Sequence, residues 1–340
     1  MTTSRAIITA VAVLATLTLG GVVRAADGDR AAPEPLPSDL PSAPSAMELG
    51  MYSGPFQSSV YRAIVGREPG VETTYVDAAR TSSPDIAAHE AEISRGISPV
   101  ITLDDKSGPF TRAEIAAWGV DVQRYFATFV AGLRTLSDDA AAADNGTRVY
   151  FADEHEAQVK IDQHKYDFAG YGAAGGPTTA DSAAAWNRVM GYVSQAAPAV
   201  VRVYWYSGAG RDEDAFAADL DPQLIQMATI DPYRWAHDAA TDTPAELWGA
   251  MIDHLKSQPW MRRADGSLKP WGVTEWGTDV SLGDGANAVF VAQAIRFFED
   301  EGAAFAVYFN RVDHNDVSND FLLTDGRQPR AAAAFSAAAP

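Results

Sequence analysis

The chain has 340 residues, of which 47% are hydrophobic and 21% charged, enough to bury the core of one large domain or two small ones. It carries 26 Lys and Arg against 45 Asp and Glu, a formal net charge of -19. Such an excess of carboxylates repels phosphate backbones and anionic lipids, which argues against nucleic-acid and membrane partners. The sequence has no cysteine, which excludes disulfide scaffolds, thiol nucleophiles and thiolate metal sites.

The N-terminal segment has the pattern of a secretory signal. Arg5 precedes an apolar run from Ala6 to Val23, and small residues follow it. The run is barely long enough to cross a bilayer and no basic cluster follows it, so we expect a cleaved signal peptide over residues 1–25 rather than an anchor. Residues 26–46 are rich in proline and predict an extended linker. The folded domain, residues 47–340, is then expected outside the cell as a monomer.

Short apolar runs, rich in β-branched and aromatic residues, alternate with helical patterns along this domain. They predict strands over Glu48–Tyr52, Thr73–Val76, Pro99–Leu103, Arg148–Ala152, Val200–Tyr206, Met227–Ile230, Trp271–Glu275 and Phe305–Phe309. Apolar residues at three- and four-residue steps predict helices over Arg112–Leu136, Ser182–Gln195, Pro244–Lys256, Asn287–Asp300 and Pro329–Ala337. Continuous apolar strands that alternate with helices indicate an α/β fold with a parallel sheet covered by helices.

The number of strand–helix units favours a single-domain (β/α)8 (TIM) barrel, for which about 250 residues is typical. The competing topology is a doubly wound open sheet, which usually has a glycine-rich phosphate loop after its first strand. Here the first strand runs into Ser53-Gly54-Pro55-Phe56, which lacks that pattern. We therefore expect a barrel whose functional residues follow the carboxyl ends of the strands.

Carboxylates and aromatic residues concentrate at those strand ends. They are Asp104-Asp105, Asp153-Glu154-His155-Glu156, Tyr204-Trp205-Tyr206, Asp231-Pro232-Tyr233-Arg234-Trp235, Glu275-Trp276-Gly277, and Asn310-Arg311 with Asp313-His314. Such a mixture binds sugars, because hydroxyl groups hydrogen-bond to acids and amides while the C–H faces stack on aromatic rings. Two carboxylates that face each other across the barrel mouth are the groups that glycoside hydrolysis requires.

These segments resemble the retaining glycoside hydrolases of the (β/α)8 clan and, more narrowly, glycoside hydrolase family 26, best known for β-mannanases. Residues Val149–Glu156 resemble the family's fourth strand, which ends in a His-Glu pair, and Lys269–Gly277 resemble its seventh, which ends in Glu, an aromatic residue and Gly. Residues Ile230–Tyr233 resemble the sixth-strand segment whose tyrosine touches the nucleophile. Residues Leu49–Tyr52 and Ala306–Asn310 resemble the first and last strands.

The resemblance implies two catalytic glutamates. Glu275 is expected to be the nucleophile, which attacks the anomeric carbon as an ionised carboxylate. Glu156 is expected to be the acid/base, with Glu154 as the alternative, since residues two apart on a strand point to the same side. The two carboxyl groups of a retaining enzyme lie about 5–5.5 Å apart.

Other residues at this rim are expected to bind substrate or to position the catalytic acids. They are His155, Glu154, Trp205, Tyr233, Trp235 and Trp276. Tyr233 can hydrogen-bond to Glu275, His155 can hydrogen-bond to substrate or orient an acid, and each tryptophan can stack on a sugar. The alternatives are structural: a rim tyrosine, a structural histidine and core tryptophans.

A metal site and a serine nucleophile are both disfavoured. Asp153, His155, Asp162 and His164 lie close in sequence, but the paired-histidine helix spacing of zinc enzymes does not occur among the six histidines. The sequence also has no G-x-S-x-G elbow. We expect no cofactor and no metal.

The sequence thus predicts a secreted retaining endo-β-glycosidase, β-mannanase-like, that hydrolyses a neutral polysaccharide or oligosaccharide by a two-glutamate double displacement. The residues beside the His-Glu pair differ from those of mannanases in the family, which usually have Arg-Pro-Leu before it and Met-Asn after it. Two alternatives remain open. One is a non-catalytic secreted glycan-binding barrel, and the other is a different glycanase of the same clan, such as a β-1,3-xylanase, a glucanase or an arabinogalactan hydrolase.

Overall fold

Eight parallel strands follow one another in chain order in the computed structural model, which describes residues 46–104, 108–162, 177–207, 211–312 and 319–340. The strands are β1 (Glu48–Tyr52), β2 (Val71–Asp77), β3 (Ser98–Asp104), β4 (Tyr150–Asp153), β5 (Val201–Trp205), β6 (Met227–Ile230), β7 (Trp271–Thr278) and β8 (Phe305–Phe309). The predicted signal peptide and all but the last residue of the predicted linker lie outside the described residues.

The strands close almost completely into a barrel. Each pairs in parallel with the next from β2 to β8, and β8 pairs with β1. Between β1 and β2, the Gly70 N–H donates to the Leu49 carbonyl at 3.0 Å. Gly50 permits this approach, because a Cβ at that position would lie 2.1 Å from the Val71 carbonyl oxygen. The (β/α)8 barrel expected from the sequence is confirmed.

Helices connect the strands on the outside of the barrel. They are α1 (Ser58–Val65), α2 (Ile86–Ile93), α3 (Arg112–Ala117), α4 (Val120–Ala143), α5 (Ala157–Asp162), α6 (Thr179–Ala196), α7 (Arg211–Ala218), α8 (Pro244–Ser257), α9 (Asp284–Asp300) and α10 (Pro329–Ala338). The structure adds α1, α2, α5 and α7 to the predicted helices, because elements of six to eight residues are too short to show a helical period. Within the described ranges, no helix is both long and apolar enough to span a bilayer.

The single helix predicted over Arg112–Leu136 is wrong, since the structure has two. Helix α3 ends at Ala117, and its C-cap Trp118 has a φ of 54°, in the left-handed region. Gly119 then precedes α4 as its N-cap. The apolar spacing continues through this break because Trp118 packs on Phe126 of α4, with ring centroids 5.4 Å apart.

Two apolar layers surround the strands. One fills the barrel interior and includes Val71, Val100, Tyr150 and Phe305, while the larger one lies between strands and helices. In β2 the alternation of side chains turns Val71 and Tyr75 towards the interior. Tyr75 therefore lies at the carboxyl end of the barrel, where the candidate site is built.

Candidate active site

Glu275 lies towards the carboxyl end of β7 and accepts hydrogen bonds from two phenols. The Tyr75 hydroxyl donates to Oε1, and the Tyr233 hydroxyl donates to Oε2. A two-residue strand, Tyr233–Arg234, pairs with the end of β7 and places Tyr233 there. Because Glu275 is only 9% exposed, two neutral donors stabilise its ionised form in place of water. The contact between Tyr233 and Glu275 that the sequence suggested is present.

The chain leaves β4 in an irregular turn that carries both candidate acids. Glu154 and Glu156 have φ angles of 71° and 49°, a region that costs a non-glycine residue about 1–2 kcal/mol. The strand ends at Asp153, so the strand alternation that would point both glutamates the same way does not apply to them. The same-side interpretation is therefore wrong: the Glu154 carboxylate meets Lys160, and that of Glu156 meets Asp231.

Lys160 of α5 gathers three polar groups around its ammonium. It forms an ion pair with Glu154, donates to Asp104 Oδ1 at 3.2 Å, and lies 3.1 Å from His155 Nδ1. The ligand atoms of Asp104, Glu154 and His155 also lie within 4.8 Å of one another, close enough to hold a metal ion. The chain's own ammonium contacts all three, so the cation at this position is Lys160.

The metal cluster considered from the sequence does not form as a group in the described residues. Asp153 turns to the helix side, where its carboxylate accepts from Arg112 Nη2 at 3.0 Å with both side chains fully buried. His155 faces the barrel mouth instead. The Asp162 side chain and His164 lie outside the described part of the chain.

Glu156 lies among acidic neighbours. The carboxyl groups of Glu156 and Asp231 are within hydrogen-bonding reach, and burial followed by the charge of Glu156 raises the pKa of Asp231 well above its ordinary value. Trp205 Nε1 donates to Asp231 Oδ1 at 2.8 Å. Burial also raises the pKa of Glu213 to about 7, with Glu156 adding to the increase. Both of these neighbours of Glu156 therefore keep a proton to higher pH than a carboxyl group in water does.

His155 contacts one residue beside Glu275 and one residue beside Asp231. Its ring centroid lies 5.0 Å from that of Tyr75 and 5.4 Å from that of Trp205. Tyr75 bonds to Glu275, and Trp205 bonds to Asp231. The mouth of the barrel thus joins residues from β2, β5, β7 and the segments after β4 and β6 in one continuous set of contacts.

The three candidate sugar platforms lie in different environments. Trp235 is half-buried beside Tyr233, with ring centroids 5.0 Å apart. Trp205 faces the mouth but is buried, so it offers little open face. Trp276 is 0% exposed and packs 5.5 Å from Phe298 on the helix side, because strand alternation sends it opposite to Glu275. The prediction that Trp276 stacks on a sugar is therefore wrong.

Tyr75, Lys160 and Asp231 belong to this site but were not among the predicted site residues. Tyr75 lies within the predicted second strand, and its position on the inward side of that strand could have been found from the alternation that it shares with Val71. Asp231 was visible as a strand-end residue but had no assigned role. Lys160 gave no signal, because its contacts depend on the backbone conformation of Glu154.

A cavity of about 490 Å³ adjoins Tyr75. It lies between the segment after β1 and the segment after β2, and it is lined by an aromatic ring and charged groups, among them Phe56, Asp77, Arg80 and Asp85. The wall that Tyr75 contributes is one hydrogen bond from Glu275. The cavity therefore adjoins the position of a ligand that contacts Glu275.

No protein-family model and no curated protein sequence matches this chain. The fold is similar to that of a ruminal GH26 endo-β-1,4-mannanase, with a TM-score of 0.51 and 12% identity, over 86% of this chain and 62% of that one. It is also similar to the catalytic domain of the Bacillus sp. JAMB-750 GH26 endo-β-1,4-mannanase, with a TM-score of 0.52 and 12% identity, over 87% and 86% of the two chains.

A third similar structure is a GH5 xyloglucan-specific endo-β-1,4-glucanase from a metagenomic library, in complex with cellotriose. It has a TM-score of 0.53 and 11% identity, over 84% of this chain and 89% of that one. The match covers 62% of the ruminal mannanase, so this chain spans less than two thirds of that protein's length. At these identities the likeness shows the (β/α)8 fold that this chain shares with glycoside hydrolases.

Proposed function

We propose that the protein is a secreted retaining glycoside hydrolase that cleaves internal β-linkages of a neutral polysaccharide. The observation that carries the proposal is the buried carboxylate of Glu275, held by Tyr75 and Tyr233 at the carboxyl end of β7. The similarity of the fold to mannanases and a xyloglucanase supports it. Secretion rests on the sequence pattern of residues 1–25.

Glu275 acts as the nucleophile. The two phenols fix the orientation of its carboxylate and leave an ionised oxygen to attack the anomeric carbon. The bond from that carbon to the leaving oxygen breaks as the glycosyl-enzyme ester forms. Water then hydrolyses the ester, which returns the anomeric carbon to its starting configuration.

Glu156 acts as the acid/base. It gives its proton to the leaving oxygen in the first step and takes a proton from water in the second. Glu154 suits this role less well, because it is buried against the Lys160 ammonium, which favours the carboxylate without a proton. Glu156 is partly exposed and lies beside Asp231, a group that holds a proton readily.

The surroundings of Glu275 suit a neutral chain of sugars. Trp235 offers a half-exposed ring beside Tyr233, and the cavity at Tyr75 has room for further sugar rings. The net charge of -19 disfavours polyanionic glycans. β-1,4-Mannan and xyloglucan are the first substrates to test, since the similar structures include enzymes named for them.

The test is hydrolysis of a panel of neutral polysaccharides by the native chain and by Glu275→Gly. We expect the native chain to release reducing ends and the variant to lose this activity, with partial recovery in azide, which can replace the missing carboxylate as nucleophile. Glu299→Gln removes an exposed carboxylate of α9 and is the matched control, with native activity expected.

Two results would contradict the proposal. One is the absence of hydrolysis across the panel while Glu275→Gln binds glycans as well as the native chain does, which indicates a non-catalytic glycan-binding barrel. The other is product with inverted anomeric configuration by proton NMR, which excludes the double displacement.

A further inference from the structure

The segment between β1 and α1 holds an aromatic residue in a backbone conformation that aromatic residues avoid. Phe56 has a φ of 57°, in the left-handed region that favours glycine. The main chain is fixed next to it, because the Gln57 N–H donates to Glu72 Oε1 at 2.9 Å. The Phe56 ring packs edge to face with His89, and their ring centroids are 4.9 Å apart. Since Glu72 and His89 are fully buried, two contacts shielded from water hold Phe56 in this conformation.

Among the residues that the structure describes, positive φ angles outside glycine occur in two kinds of place. Trp118 and Asp144 are the C-caps of α3 and α4, where the left-handed conformation is common. Phe56, Glu154 and Glu156 follow strands at the barrel mouth. Strained backbone of this kind is concentrated at functional sites, where the surrounding contacts fix it. Glycine would suit the backbone at position 56 better, so the ring itself is what this position supplies.

Phe56 lines the cavity that adjoins Tyr75. The cavity volume of about 490 Å³ lies within the range of about 300–1,000 Å³ that is usual for ligand pockets. The charged groups of the wall are Asp77, Arg80 and Asp85. Arg80 Nε pairs with Asp77 Oδ2 at 3.0 Å, and Asp85 caps the start of α2. An aromatic ring beside these groups suits the C–H face and the hydroxyls of a neutral sugar, whereas two carboxylates against one guanidinium disfavour an anionic sugar.

The position of the cavity relative to the two glutamates determines which part of a glycan reaches it. Tyr75 lies between the cavity and Glu275, to which its hydroxyl donates. Glu156 meets Asp231, which directly follows β6. In the barrel β2 and β6 lie on opposite sides, with three strands between them in either direction. A leaving oxygen at Glu156 therefore directs the non-reducing part of the chain towards β2 and the cavity.

We propose that this cavity is a subsite for a neutral sugar on the non-reducing side of the cleaved bond, and that Phe56 is the ring on which this sugar stacks. Phe56 then determines specificity, because it sets how much a longer non-reducing part of the chain contributes to binding. The direction of the chain rests on the proposed function, whereas the binding of a neutral sugar at Phe56 does not.

The first test uses 4-nitrophenyl glycosides of one, two and three β-1,4-linked mannose or glucose units, which lengthen the substrate only on its non-reducing side. For the native chain we expect kcat/KM to rise about tenfold or more with this lengthening, because an added sugar stacks on an aromatic ring. Phe56→Gly should remove most of that gain and leave the shortest hydrolysed glycoside nearly unaffected. The variant should fold, because glycine adopts a positive φ without strain.

The second test measures binding without hydrolysis. The full chain carrying Glu275→Gln is labelled at phenylalanine and titrated with mannohexaose, cellohexaose, xylohexaose and hexagalacturonate. The NMR signals of the Phe56 ring are identified by their loss in Phe56→Tyr. We expect these signals to shift with at least one neutral hexasaccharide, and Phe56→Gly to weaken that binding about tenfold. Hexagalacturonate should bind more weakly than this neutral sugar.

Two variants separate the ring from general effects. Phe56→Tyr keeps a stacking ring and should retain the dependence of kcat/KM on glycoside length. Phe297→Ala is the matched control, because it removes a half-buried phenyl ring that packs beside Phe298 on α9. Both the affinity and the activity of this control should equal those of the native chain.

The subsite is disproved if Phe56→Gly keeps the native dependence on glycoside length, if it weakens every glycoside equally, or if no neutral hexasaccharide shifts the Phe56 ring. Should Phe56→Gly not fold, the ring shifts alone decide. Hydrolysis that does not depend on Phe56 would remove the subsite and leave the proposed function intact. Binding that depends on Phe56 without hydrolysis of any glycan would have the opposite meaning, since the subsite stands and the proposed function fails.

Discussion

Tyr75 on the second strand donates a hydrogen bond across the barrel mouth to Glu275 on the seventh. The two residues are 200 positions apart in the chain, and only closure of the barrel brings them together. Tyr233 donates to the other carboxylate oxygen, so Glu275 is held from two sides. The orientation of this carboxylate is the property on which the proposed chemistry depends.

Removing the Tyr75 hydroxyl should weaken catalysis more than folding. A hydrogen bond to a charged group contributes about 1.5–3 kcal/mol, so we expect Tyr75→Phe to lower kcat/KM by roughly 10- to 100-fold. The measurement is steady-state hydrolysis together with thermal unfolding. Tyr125→Phe removes a surface hydroxyl bonded to the Thr81 carbonyl and should retain native activity. Equal activity in Tyr75→Phe and the native chain would show that this contact does not hold the nucleophile.

Trp235 and Trp276 should respond differently to truncation. Trp235→Ala removes a half-exposed ring and should raise KM about tenfold, with little change in the melting temperature, because a sugar loses its stacking surface. Trp276→Ala empties a fully buried position and should lower stability by about 3–5 kcal/mol. Substrate titrations and urea unfolding measure the two effects, and the reverse pattern would be inconsistent with the observed packing.

The buried ion pair between Arg112 and Asp153 ties α3 to the end of β4. Both side chains are fully buried, and Arg112 also donates to the Ser182 carbonyl at 3.1 Å. Because Arg112→Ala leaves the Asp153 carboxylate buried and unpaired, we expect a loss of about 3–5 kcal/mol in the free energy of unfolding. Arg124→Ala, which breaks an exposed pair with Asp121, should cost less than about 1 kcal/mol. Similar losses for the two variants in urea unfolding would argue against the buried pair.

Stability should fall as pH rises through the neutral range because of two buried acids outside the site. Burial, followed by the charge of Glu92, raises the pKa of Glu72 to about 8, and burial raises the pKa of Glu92 to about 7. A carboxyl with a raised pKa keeps its proton in the folded chain and loses it in the unfolded chain. Between its ordinary pKa and its pKa in the folded chain, each such group therefore lowers the free energy of unfolding by up to about 1.4 kcal/mol per pH unit.

The measurement is urea unfolding from about pH 6.5 to about pH 8.5. Burial lowers the pKa of His89 from its ordinary value of 6.5 to about 4. Below pH 6.5 this histidine makes the free energy of unfolding rise with pH, which is the opposite trend. The measurement therefore starts at about pH 6.5. We expect Glu72→Gln to flatten the decline, since an amide cannot ionise. Glu246→Gln on the exposed start of α8 is the control. A native free energy of unfolding that rises across this window would contradict the assigned protonation.

Much of the barrel could be predicted from the sequence because parallel strands buried on both faces read as continuous apolar runs. The bounds of β1, β6 and β8 match the predicted ones. Strand β7 runs three residues beyond its prediction, to Thr278, because its end pairs with Tyr233–Arg234, a contact that no local pattern encodes.

The strand-end residues of the candidate site could be predicted, but the directions in which their side chains point could not. Glu154 and Glu156 separate because both adopt positive φ angles, which residue spacing does not reveal. Lys160 enters the site only as a result of that turn. Trp276 was misplaced because a strand continues through it and turns it to the helix side.

The most direct test of the central claim is covalent trapping of the nucleophile. The native chain is incubated with an activated 2-deoxy-2-fluoro glycoside of the sugar it hydrolyses, digested, and examined by mass spectrometry. Attachment of the fluoro-sugar to the peptide that contains Glu275, with no attachment in Glu275→Gln, is the expected result. Attachment to a different carboxylate, or turnover of natural substrate with no trapped ester, would contradict the assignment of Glu275 as nucleophile.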